Sequence, residues 1–371
     1  MKKNLNEIHE VGTAEYEATG LAKISKSVKE SMVYITKEQI KAMVDRVYQA
    51  QHDRIELEAQ LKAINQGRDK DSDTVKKAEK KNTITAMEWL CQDAANREAQ
   101  IKEMLNEYCK SEPVCVWAMQ IKGIGPVIAS YLWAHLDLNK CNSVGAFHSY
   151  AGLNDNNNPW LGVEKATTLV KEVYEELGYD KKHEADERVL AAVSEKTTRR
   201  PNIISNGINV AKKSNKKKKL TDMEALIKYL SKPPYNEDLK TMCCFKIPRL
   251  SFAMNCNRGS LYGELYKERK AYEERKNKNL EYADQAAAVL KRRKKYLKKK
   301  EIKTLESGML LDSHITTRAL RRSVKIFLSH FWECAYRYEH KSNNRAPLYV
   351  MDIAKHKDYI EPEVPFPDFS K

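Results

Sequence analysis

The residues whose types and spacing could do chemistry are gathered in Ile121-Lys122-Gly123-Ile124-Gly125-Pro126-Val127-Ile128-Ala129-Ser130-Tyr131-Leu132. An apolar residue, a spacer, Gly, an apolar residue, Gly, and then a helix with Ala at its fourth position is the pattern of a helix-hairpin-helix. The chemistry it offers belongs to the backbone. Two glycines permit a tight turn at the start of the second helix, and the amide N–H groups there can meet a phosphate oxygen where the helix dipole also favours an anion. Such contacts are blind to base identity, so the motif positions a duplex without reading it. Lys122, Gly123, Ile124 and Gly125 are the candidate phosphate contacts. Trp117, Met119, Ile121, Val127, Ile128 and Leu132 would pack the two helices, and small Ala129 allows their close approach. The competing reading is an ordinary inter-helix turn that needs glycine for its geometry. The complete pattern, in a chain with 66 Lys and Arg against 51 Asp and Glu and a net charge of +15, favours phosphate.

Cations gather elsewhere too. Arg318, Arg321, Arg322 and Lys325 fall on one stripe of a C-terminal helix, with few acids between them, and repel one another unless an anion sits there. A solvated helix face is the alternative. Lys212 to Lys219 holds six lysines in eight residues, and Lys291 to Lys300 holds eight basic residues in ten. Tyr262, Tyr266, Tyr272 and Tyr282 lie among lysines, where tyrosines either pack or stack on unpaired bases.

For catalysis the local candidate is Ser260, in Arg258-Gly259-Ser260-Leu261-Tyr262-Gly263. The preceding glycine would expose the hydroxyl, and Arg258 would sit beside a scissile phosphate. The same serine reads equally as the N-cap of a helix from Leu261 to Lys278, with Glu264 one place beyond the ideal capping-box position, and the cap is favoured. His135, His148, His314 and His330 have no partner at helical metal-ligand spacing. The eight cysteines form neither a CxxC pair nor a disulfide framework and read as reduced thiols. A zinc site from Cys243, Cys244 and Cys256 would be an awkward chelate, so neither metal nor cofactor is expected.

These groups need helices to position them, and the apolar spacing supplies helices, so the expected fold is mainly α. Residues 1–35 lack periodicity and read as a flexible arm. Thr36 and Gln39 make a capping-box pattern, followed at helical spacing by Ile40, Met43, Val44, Val47, Tyr48, Ile55, Leu61 and Ile64. Met87, Leu90, Ala94, Ile101 and Leu105 continue the pattern toward Tyr108, so 36–110 reads as a long, coiled-coil-like helical hairpin. Its two readings are a plain bundle and an arm that forms a homodimer. Residues 111–178 make the helix-hairpin-helix domain, with a helix after Pro159 that ends at Gly178. Residues 179–232 read as a basic insertion, with exposed basic loops at 199–209 and 212–219. Residues 233–340 form a basic helical domain, in which a charged helix runs through Ala286 to Leu290 into the second lysine run. Leu320, Val324, Phe327, Leu328, Phe331 and Ala335 mark the buried stripe of the last helix. Residues 341–371 are a Pro-rich, aromatic, extended tail. The N-terminus is no secretory signal and no stretch reaches membrane-span length, so a cytoplasmic protein without a membrane partner is expected.

The order of a helical hairpin, IKGIGPVIASYLWAHLDL, NSVGAFHSYAGLN and HITTRALRRSVKIFLSHF resembles the C-terminal transposase domain of the serine-dependent DEDD insertion-sequence transposases. Phe147, Ser149, Tyr150, Ala151, Gly152 and Leu153 match that family's middle stretch, and Arg318, Leu320, Arg321 and Leu328 its Arg-rich helix. The segments KPPYNEDLKTMC and GSLYGELYKERKAYEERKN also look like a phage and mobile-element subgroup. The resemblance spans about residues 40–155 and 233–360. It implies DNA recombination, with duplex or branched DNA as partner, RNA as a further one, and a bacterial or phage-infected cell, close to its nucleoid, as the setting. The family's metal site lies in an acidic N-terminal domain. No strand-rich Asp motif precedes residue 36, so that site is not carried over, and no serine after the Ala-Gly-Leu stretch matches the family's nucleophile. The expectation is therefore a DNA-binding protein whose catalytic capacity stays open. Its rivals are a recombinase or nuclease that uses its own serine or a separate DEDD subunit, and a phage or mobile-element regulator that binds a host protein.

Overall fold

A computed structural model describes residues 23–66, 77–154, 160–197, 199–214, 219–343 and 359–370, the side chains of 77–84 excepted. As the apolar spacing requires, the fold is all-helical: fifteen α-helices and no strand among the described residues. The chain divides into two compact units. One comprises 1–137, 333–346 and 361–371, the other 138–332 and 347–360. No helix among the described residues is long and apolar enough to cross a membrane.

In the first unit, α1 (Lys26–Ser31) is a short helix capped by the Ser25 hydroxyl. Met32 behind it is buried, and Lys29 pairs with Glu103 at 2.9 Å. The expectation of a loose arm up to residue 35 is thus corrected for 26–34, whose one buried methionine and few ion pairs are too sparse a signal for periodicity to register. Residues 1–22 lie outside the described residues. Helix α2 (Lys37–Asn65) begins at the Thr36/Gln39 capping box, which is fully formed. It buries Ile40, Val44, Val47, Ala50 and Leu61, whereas Ile55 is exposed.

Helix α3 (Lys77–Ser111) packs along α2. Arg54 of α2 meets Glu98 at 2.8 Å, while Cys91 lies near Glu58, so the two helices run antiparallel. Burial alone would raise the Glu98 carboxyl. Hydrogen bonds from Lys102 and Arg54 outweigh burial and hold it below the usual carboxylate range. A buried carboxylate that lost these cations would cost several kcal/mol, by the general scale of about 3–5. Helices α4 (Pro113–Met119) and α5 (Pro126–His135) follow, and α5 packs against both α2 and α3. The hairpin is therefore part of a bundle that holds the glycine turn.

The second unit has several cores. Helices α6 (Val144–Tyr150) and α7 (Gly162–Glu176) come first, and Gly178 takes φ +72° at the end of α7. Tyr179 N–H reaches Tyr174 O at 2.8 Å, the six-to-one bond of a Schellman ending. Then come α8 (Glu187–Thr197), α9 (Pro201–Lys213) and α10 (Asp222–Leu230). Val170, Val173, Val189, Val193, Ile204, Ile208, Ala211 and Leu226 from these four helices share one core. The expected exposed basic loop at 199–209 is thus corrected to a helix. Pro201 opens it, and Ile204, Ile208 and Ala211 bury at intervals of four and three, while its lysines lie at the solvated end. Residues 215–218 of the first lysine run lie outside the described residues.

Next is α11 (Glu237–Thr241), which continues into a π-helical run, Met242–Ala253, that contains Pro248. Helix α12 (Leu261–Lys278) stops where Leu280 turns to φ +60°, so the expected single helix into the lysine run is two. Helix α13 (Ala283–Arg293), a 3-10 turn (Lys294–Tyr296) and α14 (Lys299–Glu306) form a small core around Tyr282, Ala286, Val289, Leu305, Leu310 and Ile315. The last helix, α15 (Asp312–Glu339), buries the whole expected stripe from Leu320 to Ala335.

A Cβ built on Gly207 of α9 would lie 2.3 Å from the ring of Tyr229 of α10, which locates the tightest helix approach in the four-helix core. Ala suits a helix better than Gly by about 1 kcal/mol, but overpacking costs roughly 1–3 kcal/mol. Gly207→Ala should lower the melting temperature, with a net loss of about 1–2 kcal/mol. An unchanged or raised melting temperature would show that the helices separate freely.

Candidate nucleic-acid interface

The turn between α4 and α5 is built by burying its apolar residues and exposing its polar ones. Trp117, Ile121, Ile124, Ala129 and Leu132 are buried; Met119, Val127 and Ile128 are half-buried; Lys122 and Gly123 are exposed. Gly123 takes φ +87°, the left-handed region that disfavours any side chain. Gly125 is different. As N-cap of α5 it has φ −98° and ψ −179°, and nothing lies within 4 Å of where its Cβ would be. Its lack of a side chain leaves open space in front of the helix.

Counting donors shows what the turn presents. Ile124 N–H is spent on Ile121 O at 3.0 Å, and the amides of Ile128 and Ala129 both return to Gly125 O. Pro126 at the first helical position has no N–H. The amides of Gly123, Gly125 and Val127 meet no acceptor among the described residues. Of the four turn residues expected to touch phosphate, Lys122, Gly123 and Gly125 thus have the right placement. Ile124 supplies packing instead. Val127 was missed as a donor, although the sequence carried the signal: after Pro126, the next amide available is that of Val127.

The tail closes on this turn. Lys122 N–H donates to Glu363 Oε1 at 3.3 Å, Trp117 Nε1 donates to Val364 O at 3.0 Å, and the Phe366 ring lies 5.4 Å from that of Trp117. Arg337 stacks over the other ring of the pair, 4.4 Å from the Phe366 centroid. The extended tail expected over the surface is extended at 359–370, and its specific contact with the turn was not visible in the sequence. Residues 344–358 lie outside the described residues.

The Arg-rich helix face belongs to the second unit and is only partly available. Arg318 lies 3.8 Å from the buried Glu273 carboxylate, donates to Gln285, and sits 4.5 Å over the Tyr282 ring. Lys325 donates to Asn154 at 2.6 Å. Arg321 is half-buried and Arg322 exposed. Beside Lys325, His148 Nε2 lies 3.0 Å from the Lys325 carbonyl. Burial first, then the positive charge of Lys325, pushes this imidazole down to about 4.

Ser260 is fully buried and caps α12, its hydroxyl accepting Gly263 N–H at 3.4 Å. In this position the hydroxyl is closed to a substrate phosphate. Tyr262 OH donates to His330 Nδ1 at 2.9 Å, and His330 Nε2–H meets Ile360 O at 2.8 Å, so both are satisfied inside the core. Tyr282 donates to Glu273 at 2.5 Å, while Tyr266 and Tyr272 lie along α12. Among the described residues, no three His, Cys, Asp or Glu side chains converge on a point that could hold a metal ion. Burial raises the thiols of Cys243 and Cys334 well above their usual range. Comparison with family models, with curated proteins and with solved structures finds no match to this chain.

Two outcomes follow from this geometry. Gly123→Ala should destabilise the first unit by about 1–2 kcal/mol, the cost of a left-handed residue with a Cβ, while Gly125→Ser, at an N-cap with room for a side chain, should leave its melting temperature unchanged or raised. Equal effects of the two would contradict the assigned backbone. His148 contributes differently. The unfolded chain takes up its proton near 6.5 and the folded chain only near 4, so the contribution is complete above about pH 6.5 and lost progressively as pH falls toward 4. Comparing the melting temperature of wild type and His148→Gln across that window should show a shallower fall in the variant. Parallel curves would remove His148 from the account.

Proposed function

We propose that this chain is a nucleic-acid-binding protein related to the C-terminal domain of the serine-dependent DEDD transposases, in the mobile-element branch that the sequence resembles. It grips duplex or branched DNA by the backbone, without sequence specificity, through the turn at Lys122, Gly123, Gly125 and Val127. Arg321, Arg322 and the lysine runs extend the electrostatic footprint.

The observation that carries this reading is the set of three amide N–H groups without an acceptor on an exposed turn, beside a lysine and at the positive end of α5. The carboxylate of Glu363 on the neighbouring amide supports it, because an anion of the protein's own is already drawn to this turn. A phosphate would compete with that carboxylate. The reading is one of binding. A buried, capping Ser260 gives the rival recombinase reading no nucleophile at that position.

The test uses Gly125→Asp. Its backbone angles suit an N-cap Asp, which should stabilise α5 while placing a negative charge in front of the free amides. Wild type should bind duplex and branched DNA with an affinity that falls as salt rises, by a slope of about 0.9 per phosphate neutralised. Gly125→Asp should stay folded and lose at least about tenfold in affinity, some 1.4 kcal/mol. Glu363→Gln should bind more tightly, by roughly two- to fivefold, the effect of removing one exposed like charge of about 0.4–1 kcal/mol. Wild type that binds no nucleic acid at low salt, or Gly125→Asp that binds as wild type does, would sink the proposal.

A further inference from the structure

The second lysine run is dense in cations and poor in counter-charge among the described residues. Several exposed cations of other helices are matched: Arg97 with Asp93, Lys110 with Glu107, Lys196 with Glu176 and Lys267 with Glu264. Between Lys291 and Lys300 all eight cations are exposed, and none has an ion-pair partner among the described residues. Glu301, the nearest acid, is turned to the Lys298 backbone N–H at 2.7 Å. The backbone here is nonetheless held in place, because α13, α14 and the start of α15 share the small core around Val289, Leu305 and Ile315. Like charges fixed this close, without counter-charge, oppose folding and favour an anionic partner.

The same segment carries a ring. Tyr296, at the end of the 3-10 turn, is 83% exposed, matched among the described tyrosines only by Tyr34 at the far end of the sequence. With Arg292 and Arg293 it lines a wide, shallow surface hollow of about 480 Å³. His314, on the first turn of α15, senses this cluster. Burial, and after it the charges of Arg293, Arg318 and Arg292, push its imidazole down, so it stays neutral beside them.

We infer that Arg292, Arg293 and Tyr296 form a binding site for an unpaired nucleotide of a single-stranded nucleic acid, with its base stacked on the Tyr296 ring and its flanking phosphates on the two arginines. A base inside a duplex hides both faces in its own stack, so an exposed ring flanked by exposed cations selects a strand that is open. A membrane surface fits less well, because binding there needs an apolar helix face, and Tyr296 stands alone among cations. The site lies in the second unit and does not depend on the glycine turn.

The experiment measures binding of the full chain, by fluorescence anisotropy across a salt series, to an oligothymidylate and an oligouridylate of about 12 nucleotides and to a duplex of similar length. All three side chains are exposed, so the substitutions leave the core intact. Tyr296→Ala should weaken binding of the single strands by between about fivefold and a hundredfold, and change duplex binding by less than about twofold. Tyr296→Trp should restore single-strand binding, since a larger ring stacks at least as well. Arg292→Gln with Arg293→Gln should flatten the single-strand salt dependence by about 1.4, or 0.7 for each phosphate that is no longer neutralised. The two oligonucleotides separate a preference for DNA from one for RNA. Wild type that binds neither strand, Tyr296→Ala that matches wild type or weakens strand and duplex equally, or Tyr296→Trp that fails to rescue would each overturn the inference. Loss of duplex binding by Gly125→Asp tests the glycine turn alone, so either reading can fail while the other stands.

Discussion

A helix that starts in a tight turn leaves amide hydrogens with no carbonyl to receive them, and the first unit of this protein is organised around three such groups. The amides of Gly123, Gly125 and Val127 point from a turn that could not close without the left-handed φ of Gly123. Pro126 starts the helix without an N–H of its own, which leaves the donors that remain as a compact set. Such a set is useful only if it is held still. Trp117, Ile121 and Leu132 bury the two short helices against each other, and α5 packs against both long helices. Those helices are joined in turn by Arg54 on the buried Glu98 carboxylate, which Lys102 of the same helix also holds. Breaking that ion cluster would loosen the platform before it altered the turn.

The tail adds an opposing influence. Glu363 places a carboxylate on the amide of Lys122, and the chain next to it is tied down by Trp117 and Arg337 through Val364 and Phe366. An anion that is part of the chain competes at a high effective concentration, whereas a phosphate must come from solution. A carboxylate on a single amide at 3.3 Å is a weak occupant, however, and a polyanion that engages several amides and Lys122 together gains more than one contact.

The sequence was most legible where a local rule decides the structure. The capping box at Thr36, the glycine pattern at 121–132, the Gly178 helix ending and the buried stripe of α15 are all local rules. In each case one or two residues, or a strict period, decide the outcome. The reading failed where charge concealed a core. In 199–213 the basic residues suggested a loop, yet Ile204, Ile208 and Ala211 bury one face of α9 against helices more than ten residues away. In the same helix Gly207 seats the Tyr229 ring, a contact that no local pattern in the sequence announces. The contact of Glu363 with Lys122 joins residues 241 apart in sequence, and no local pattern encodes a pairing of that span.

Cation counts in the sequence also left open which charges are available. Arg318 looked like part of a phosphate-facing stripe, but it lies against Tyr282 and near the buried Glu273, a carboxylate that Arg269 and Tyr282 also hold. Lys325 is engaged by Asn154. The run from Lys291 to Lys300, read as part of the electrostatic footprint, is a stretch in which no carboxylate answers the charge among the described residues. A cation already paired inside the protein must give up that partner before it can bind phosphate, whereas an unpaired one gives up only water and small counterions. Affinity for a polyanion is therefore set by which cations the fold leaves unpaired, and the net charge of +15 overstates it wherever the helices have already used their arginines.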